Sequence, residues 1–531
     1  MAKEIKVQLN SSSLLLRLFI AILVCIGIVI TFYYSFKPGG DYANYYFGSK
    51  FLVQGIPVDK IYDPACFNVL ISEEGIKQVF VNYGPIPPFS LLFFIPFTAL
   101  DFYTSKLLFN LVSVLVFSFS LYGFLKFINF ENKLIPFLLL IIIIPLRNNI
   151  ILGQTYLLLA AFLMQGYILS VNKKQFISSF LFAIPIVLKL FPAVILLWLF
   201  ITGRIKEFWL TVIFCAFLFL SVIPFTSFHH LFSYVVLTFP RLAAGEFNDP
   251  FSITYQTCTV LLRKLFVYDG MMNPYPWFDS PILFNILNTA IIGLLLTAGI
   301  SLLRKYRESN LFTFGFIFLL GLLISGYGTS YSLILLILPA IGLLLEEKLK
   351  LSLKIVYTIL LILITTFPVH LFFNAPFPFQ YIRLWLLLIV FIIIIIKKEP
   401  PIPLRSYGII AALLFIPVIL RYMKKQDKSS YYLKNEPSAL LLNFKIDKNN
   451  LIVDYFNDNG KDSILYPICS VVNNPKELPI INNQIIYQNM PITYGSDFKK
   501  KAILVNDKEV IYLSDKGKGV GLYSLRKLMV K

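Results

Sequence analysis

Residues Gly39-Gly40-Asp41 put a carboxylate directly after the first long apolar run, residues 14–34. Tyr42, Tyr45, Tyr46, Phe47, Phe51 and Leu52 follow at close to helical spacing. Such a segment is expected to lie flat in a membrane interface, where a tyrosine keeps a wet edge and an apolar body. A carboxylate there stands between lipid-borne and water-borne molecules and suits a general base acting on a lipid-carried substrate. The same run also reads as a helix start, with Asp41 as N-cap and Gly55 as terminator. The two roles are compatible, because a helix N-terminus favours the ionised carboxylate that a base requires.

Cations that could meet a phosphate are few. Lys189 interrupts the apolar run 181–200, and an ionisable residue inside a span is a functional candidate, the alternative being that it snorkels to a surface. Arg241, Arg263 and Lys264 fall in a later polar stretch. Gln154 could hydrogen-bond a sugar or bridge two helices. His229-His230 reads as loop structure. With three His and five scattered Cys there is no zinc or haem pattern. Asp59 and Asp63 are the acids that could join Asp41 around a metal, but no second acidic phrase accompanies them, so neither metal nor other cofactor is expected. Among Cys66, Cys258 and Cys469 one disulfide is conceivable, with free thiols the expectation.

The elements that must position these groups are membrane helices. Of 531 residues 57% are hydrophobic and 14% charged, and the mean hydropathy is +0.76. This is a polytopic α-helical membrane protein. About 13 transmembrane helices are expected, at 14–34, 85–100, 104–126, 134–150, 153–171, 176–200, 207–224, 282–303, 311–326, 331–346, 352–373, 382–397 and 407–421. The first run lacks a small-residue cleavage site and reads as an anchor. The net charge of +19 sits largely in short loops, as an orientation signal and not a nucleic-acid footprint. Lys3 and Lys6 put the N-terminus inside. Alternation then leaves Arg204/Lys206, Arg304/Lys305/Arg307, Lys348/Lys350 and Lys397/Lys398/Arg405 inside as well. Lys173 and Lys174 fall outside against the rule, unless a segment between 134 and 200 is re-entrant. Outer loops are expected at 37–84 and 225–281, within a transmembrane domain 1–423. Residues 424–531 change composition. Their compact apolar stretches, separated by turn signals such as Asn457-Asp458-Asn459-Gly460, predict a small β-rich extracytoplasmic accessory domain.

Several phrases in order carry a resemblance over much of 1–345. They are Asp41 with Tyr45, Leu52, Gly55 and Ile61-Tyr62; Tyr83-Gly84-Pro85 with Pro87-Pro88; and Asn149 with Gly153-Gln154-Thr155-Tyr156. Leu188-Lys189-Leu190-Phe191-Pro192 and Asn248-Asp249-Pro250-Phe251-Ser252, leading to Arg263, complete the set. The chain resembles the GT-C superfamily of polyprenyl-phosphate-sugar-dependent glycosyltransferases, and within it the family 87 mannosyltransferases. That resemblance implies a hexosyltransferase of a bacterial plasma membrane, active on the extracytoplasmic face. Its donor is a hexose (mannose by family) on polyprenyl phosphate, and its acceptor is lipid-linked or a glycan. Asp41 matches the family's catalytic base. Lys189, Arg263 and Arg241 are then candidates for the donor phosphate, and Tyr45, Tyr83, Gln154 and Tyr327 for the sugar or acceptor. Related enzymes often carry a His near the outer end of a late span; here that stretch, residues 325–331, has none, which leaves Tyr327 or Tyr331 as the sugar contact. Rival readings are a polysaccharide polymerase, which usually relies on loop arginines, and a lipid-linked glycan flippase or transporter, which predicts internal repeats.

Overall fold

The computed structural model describes residues 12–37, 40–77, 79–246, 248–347, 349–398, 404–423, 429–433, 436, 439–448, 450–457, 460–468, 475–506 and 508–530. Gly39, Lys3, Lys6, Lys348 and Cys469 lie outside the described residues.

Among the described residues six helices are long and apolar enough to cross a membrane: Leu14–Ser35, Phe102–Phe127, Asn132–Leu152, Ile205–Phe225, Pro281–Lys305 and Phe379–Lys398. Shorter apolar helices run between them, among them Tyr156–Val171, Gln175–Lys189, Phe191–Ile201, Asn310–Ile324, Ser332–Leu344 and Leu351–Thr366. Two expected spans are corrected. Residues 85–100 form only the short helices Phe89–Phe93 and Ile95–Ala99, because Pro85, Pro87, Pro88 and Pro96 remove backbone donors and disfavour helix before each ring. Residues 176–200 break at Leu190, which takes φ +20 ahead of Pro192. The two legs on either side run in opposite directions. Ser178 donates to the Gly166 carbonyl (3.0 Å) and Trp198 Nε1 to Thr313 Oγ1 (3.1 Å), while Val194 and Phe191 pack on Gly321 nearer the other end.

The lost span at 85–100 and this break together restore order to the charges. Ser170 donates to Glu207 at 2.5 Å, Arg204 donates to Ser170, and Ser179 reaches the Glu207 carbonyl. Ile201–Arg204 lines one cavity with Arg307 and Asn310, and Glu346 pairs with Lys398 at 2.7 Å. Lys173, Lys174, Arg204, Lys206, Arg307 and Lys398 therefore share one end of the bundle. The chain turns at Gly40, Gly153, Lys189–Leu190 and Ser325–Tyr331 collect at the other.

The helix Tyr42–Val53 forms as its spacing suggested and stops before Gly55, at φ +76. It does not lie exposed in an interface. Tyr42 and Tyr45 are fully buried, stacking on Phe109 (5.1 Å) and Phe94 (4.6 Å), so its aromatic rings form a protein core with the folded-back 89–99 segment.

Beyond Met423 the chain is β-rich. A five-stranded antiparallel sheet has the order Ser429–Tyr431, Ser524–Met529, Glu509–Ser514, Lys499–Asn506, Lys476–Leu478. A three-stranded sheet, Leu440–Asp447, Asn450–Asn457 and Gly460–Pro467, packs against it through Phe444, Leu451, Val453, Ile511, Leu513 and Leu525. This region sits on both 37–84 and 225–281. Asn82 donates to the Val520 carbonyl (2.9 Å), Gly519 N to the Asn248 carbonyl (3.0 Å) and Lys500 to Asp63 (2.6 Å).

Candidate active site

Two glycines on separate segments let Asp41 into place. Gly40 takes φ +89, and a Cβ there would sit 2.8 Å from the Leu152 carbonyl oxygen. Gly153 takes φ +66, and a Cβ there would collide with Tyr42 Cβ. Only residues without side chains allow the two backbones to touch in this conformation. The contact sets Gln154 against Asp41: the Gln154 amide donates to the Asp41 carboxylate, and Tyr45 Oη donates to Gln154 Oε1 at 3.0 Å. Asp41 itself has helical φ/ψ (−69°, −11°), and its side chain makes no cap hydrogen bond. The N-cap role expected from sequence is therefore not what its carboxylate does.

Lys189 ends its helix beside this chain of hydrogen bonds. Its ammonium lies 5.2 Å from the Tyr45 ring centroid and 5.9 Å from that of Tyr156. It interacts electrostatically with Asp41, yet among the described residues no ion pair within 4 Å joins them. Burial raises the Asp41 carboxyl above its ordinary 3.8, while Lys189 and then the Gln154 hydrogen bond pull it down. Burial, with Asp41 next in effect, holds the Tyr45 phenol well above 10, so it is a neutral donor. Tyr331 stacks near Tyr156 (5.4 Å) and shares a 2.8 Å hydrogen bond with Tyr327, whose ring lies 4.6 Å from Tyr255. The Asn149 amide holds the Tyr331 carbonyl at 2.9 Å.

Asp41, Tyr45, Gln154, Lys189 and Tyr327 are thus brought to one place, and the other candidates are not. Tyr83 packs on Tyr62 and Phe67 in the aromatic core of residues 42–109. Arg241 is fully buried in a two-pronged pair with Asp515 (2.9 and 2.8 Å) and bonds Glu246 at 2.8 Å, so its guanidinium is committed away from any phosphate. Arg263 donates to the carbonyls of Ala244 and Gly245 at the end of the helix Phe239–Ala243, a structural use of the charge. Lys264 is half-buried near Asp249. Asp63 caps the helix Pro64–Glu73 and pairs with Lys500, and Asp59 is exposed beside His230 (3.6 Å), so neither joins Asp41 around a metal. Cys66 and Cys258 are free thiols. Sequence reasoning left out Tyr156 and Tyr255. Tyr156 ended a phrase already singled out, Gly153-Gln154-Thr155-Tyr156, whereas nothing local marks Tyr255.

No curated protein and no solved structure matches this chain. A protein-family model does, over residues 86–339. The match takes in Gln154, Lys189, Arg241, Arg263 and Tyr327, begins after Asp41, Tyr45 and Tyr83, and ends before the β-rich region. That family is glycosyltransferase family 87, and the match supports a membrane glycosyltransferase similar to its members.

Proposed function

We propose that the protein moves a hexose, mannose being the first candidate, from a polyprenyl-phosphate donor to a lipid-linked or glycan acceptor. The acceptor oxygen attacks the anomeric carbon. The bond from that carbon to the phosphate oxygen breaks, its electron pair leaving with the polyprenyl phosphate, and the acceptor's proton passes to Asp41. Gln154 orients the carboxylate, and Tyr45 holds Gln154 in turn. The Lys189 ammonium offsets charge gathering on the departing phosphate. A carboxylate raised by burial is a stronger base once ionised, and Lys189 helps to keep it ionised near neutral pH.

The observation that carries this reading is the spacing of Asp41 and Lys189. A buried acid and a buried base that served only the fold would close into an ion pair, as Glu346 and Lys398 do at 2.7 Å. These two stay apart, with the Tyr45 and Tyr156 rings beside the ammonium, opposite the lysine-rich end of the bundle. The positive-inside rule supports reading that lysine-rich end as cytoplasmic and the site as extracytoplasmic; a bacterial plasma membrane is what the family resemblance implies. The test is sugar release from labelled polyprenyl-phosphate-mannose by membranes carrying Asp41→Asn or Lys189→Ala. Transfer at the wild-type rate in both variants defeats the proposal.

A further inference from the structure

The run of tyrosines near Asp41 does not end at Tyr327. The rings run from Tyr156 to Tyr331 (5.4 Å), across the 2.8 Å hydroxyl bond to Tyr327, and on to Tyr255 (4.6 Å). Tyr255 lies within electrostatic reach of Asp249 and beside Asn248. Asp249 is half-buried. Its Oδ1 accepts from Phe251 N at 2.8 Å, and among the described residues it joins no ion pair within 4 Å. Tyr381, which is fully buried, lies in electrostatic reach of this carboxylate, and its hydroxyl has no hydrogen-bond partner among the described residues. The segment carrying Tyr381 is pinned to Tyr255's neighbour, since Gln256 Nε2 donates to the Gln380 carbonyl at 2.8 Å. A buried hydroxyl without a partner and a carboxylate with a free oxygen are costly to keep unless something binds them.

Between Asp249 and Asp41 the wall stays accessible: Tyr327, Gly328, Thr329 and Ser330 are all half-buried. Alternating tyrosine faces and hydroxyls, ending on a carboxylate, match the apolar faces and hydroxyl edges of linked sugars. The far end is also held rigid. Asn248 accepts from Asn82 at 3.1 Å and its carbonyl from Gly519 N at 3.0 Å, so the β-rich region fixes the Asn248-Asp249 turn.

We infer that the tyrosine track from Asp41 to Asp249 is an acceptor subsite for an oligosaccharide of two or more residues, with Asp249 and Tyr255 binding the sugar that lies away from the reacting hydroxyl. This rests on the glycosyltransferase reading of the Asp41 site and names its acceptor class. Binding of the purified full-length protein to an array of immobilised mono-, di- and trisaccharides tests it. Wild type is expected to retain some di- or trisaccharides over their monosaccharides. Asp249→Asn, which keeps an oxygen for Phe251 N, should weaken that retention about 10- to 100-fold, as loss of a charged hydrogen-bond partner does. Tyr255→Ala should do the same. Asp41→Asn should stop transfer. A wild-type protein that retains no oligosaccharide, or an Asp249→Asn protein that binds as wild type, overturns the subsite. An Asp41→Asn protein that still transfers sugar overturns instead the reading on which the subsite rests.

Discussion

Removing the Asp515 carboxylate should loosen the whole β-rich region from the membrane part. Asp515 has no exposed surface, and Arg241 opposite it is 1% exposed. The carboxylate accepts two hydrogen bonds from Arg241 Nη1, one from Phe498 N (2.7 Å) and one from Gly521 N (2.7 Å). Asp515→Ala leaves a buried guanidinium half paired and two amides without acceptors. Breaking a buried pair in this way costs about 3–5 kcal/mol. At 1.4 kcal/mol per tenfold, local opening should rise on the order of 10²–10³-fold. The carboxylate anchors the turn that seats Gly519–Gly521 against Asn82, Asn248 and Pro64, and that seating is what opens. The assay is limited trypsin digestion of the detergent-solubilised protein at native temperature, which reads the opened population when reclosing is fast. Asp515→Ala should release a fragment near residue 424 much faster than wild type. The double variant Arg241→Met/Asp515→Leu removes both charges but leaves the Phe498 and Gly521 amides without acceptors, and should recover part of the resistance. Wild-type resistance in Asp515→Ala would refute the latch, and so would a double variant as fragile as the single one.

Gly153→Ala should separate Tyr42 from the Gln154 turn and cost transfer at least tenfold without removing any polar group, measured as the turnover of purified protein. Lys189→Ala should slow transfer and also move the acid limb of the pH–rate profile upward. Lys189 lowers the Asp41 carboxyl, so without it the base stays protonated to higher pH; an unmoved limb in a slowed variant would place Lys189 away from Asp41. A phosphatase reporter that works only outside the cytoplasm should be silent when fused after Lys174 and active when fused after Lys531. Activity after Lys174 would restore the simple alternation of spans.

Much of this architecture is legible in the chain. The hydropathy runs mark most helices, and the alternating stretches after residue 424 become strands because a half-buried sheet requires that pattern. What fails is what depends on partners distant in sequence. The stretch 85–100 is as apolar as a span, and its prolines, not its hydropathy, decide its fold. Lys173 and Lys174 contradict simple alternation only while 85–100 is counted as a span and 176–200 as one helix; losing the first span moves them inside, and the break at Leu190 keeps Arg204 and Lys206 there with them. Helix Tyr42–Val53 has the composition of an interfacial segment, and nothing local announces that Phe94, Phe102 and Phe109 will cover it. Arg241 looks like a phosphate ligand until Asp515, 274 residues later, is seen to hold it. Asp41 and Gln154 were each visible alone. Their contact was not, because it depends on Gly40 and Gly153 meeting across 113 residues of chain.

Catalysis by Asp41 is tested most directly by Asp41→Asn in purified protein supplied with labelled polyprenyl-phosphate sugar and acceptor. Asn keeps the side chain's size and can still bond Gln154, and since burial disfavours the Asp41 charge, the variant's melting temperature should be unchanged or higher. The amide cannot take up the acceptor's proton, so the transfer rate should fall by about 10²–10⁴-fold, the usual cost of losing a general base. Full transfer activity in a stable Asp41→Asn protein would contradict the assignment outright.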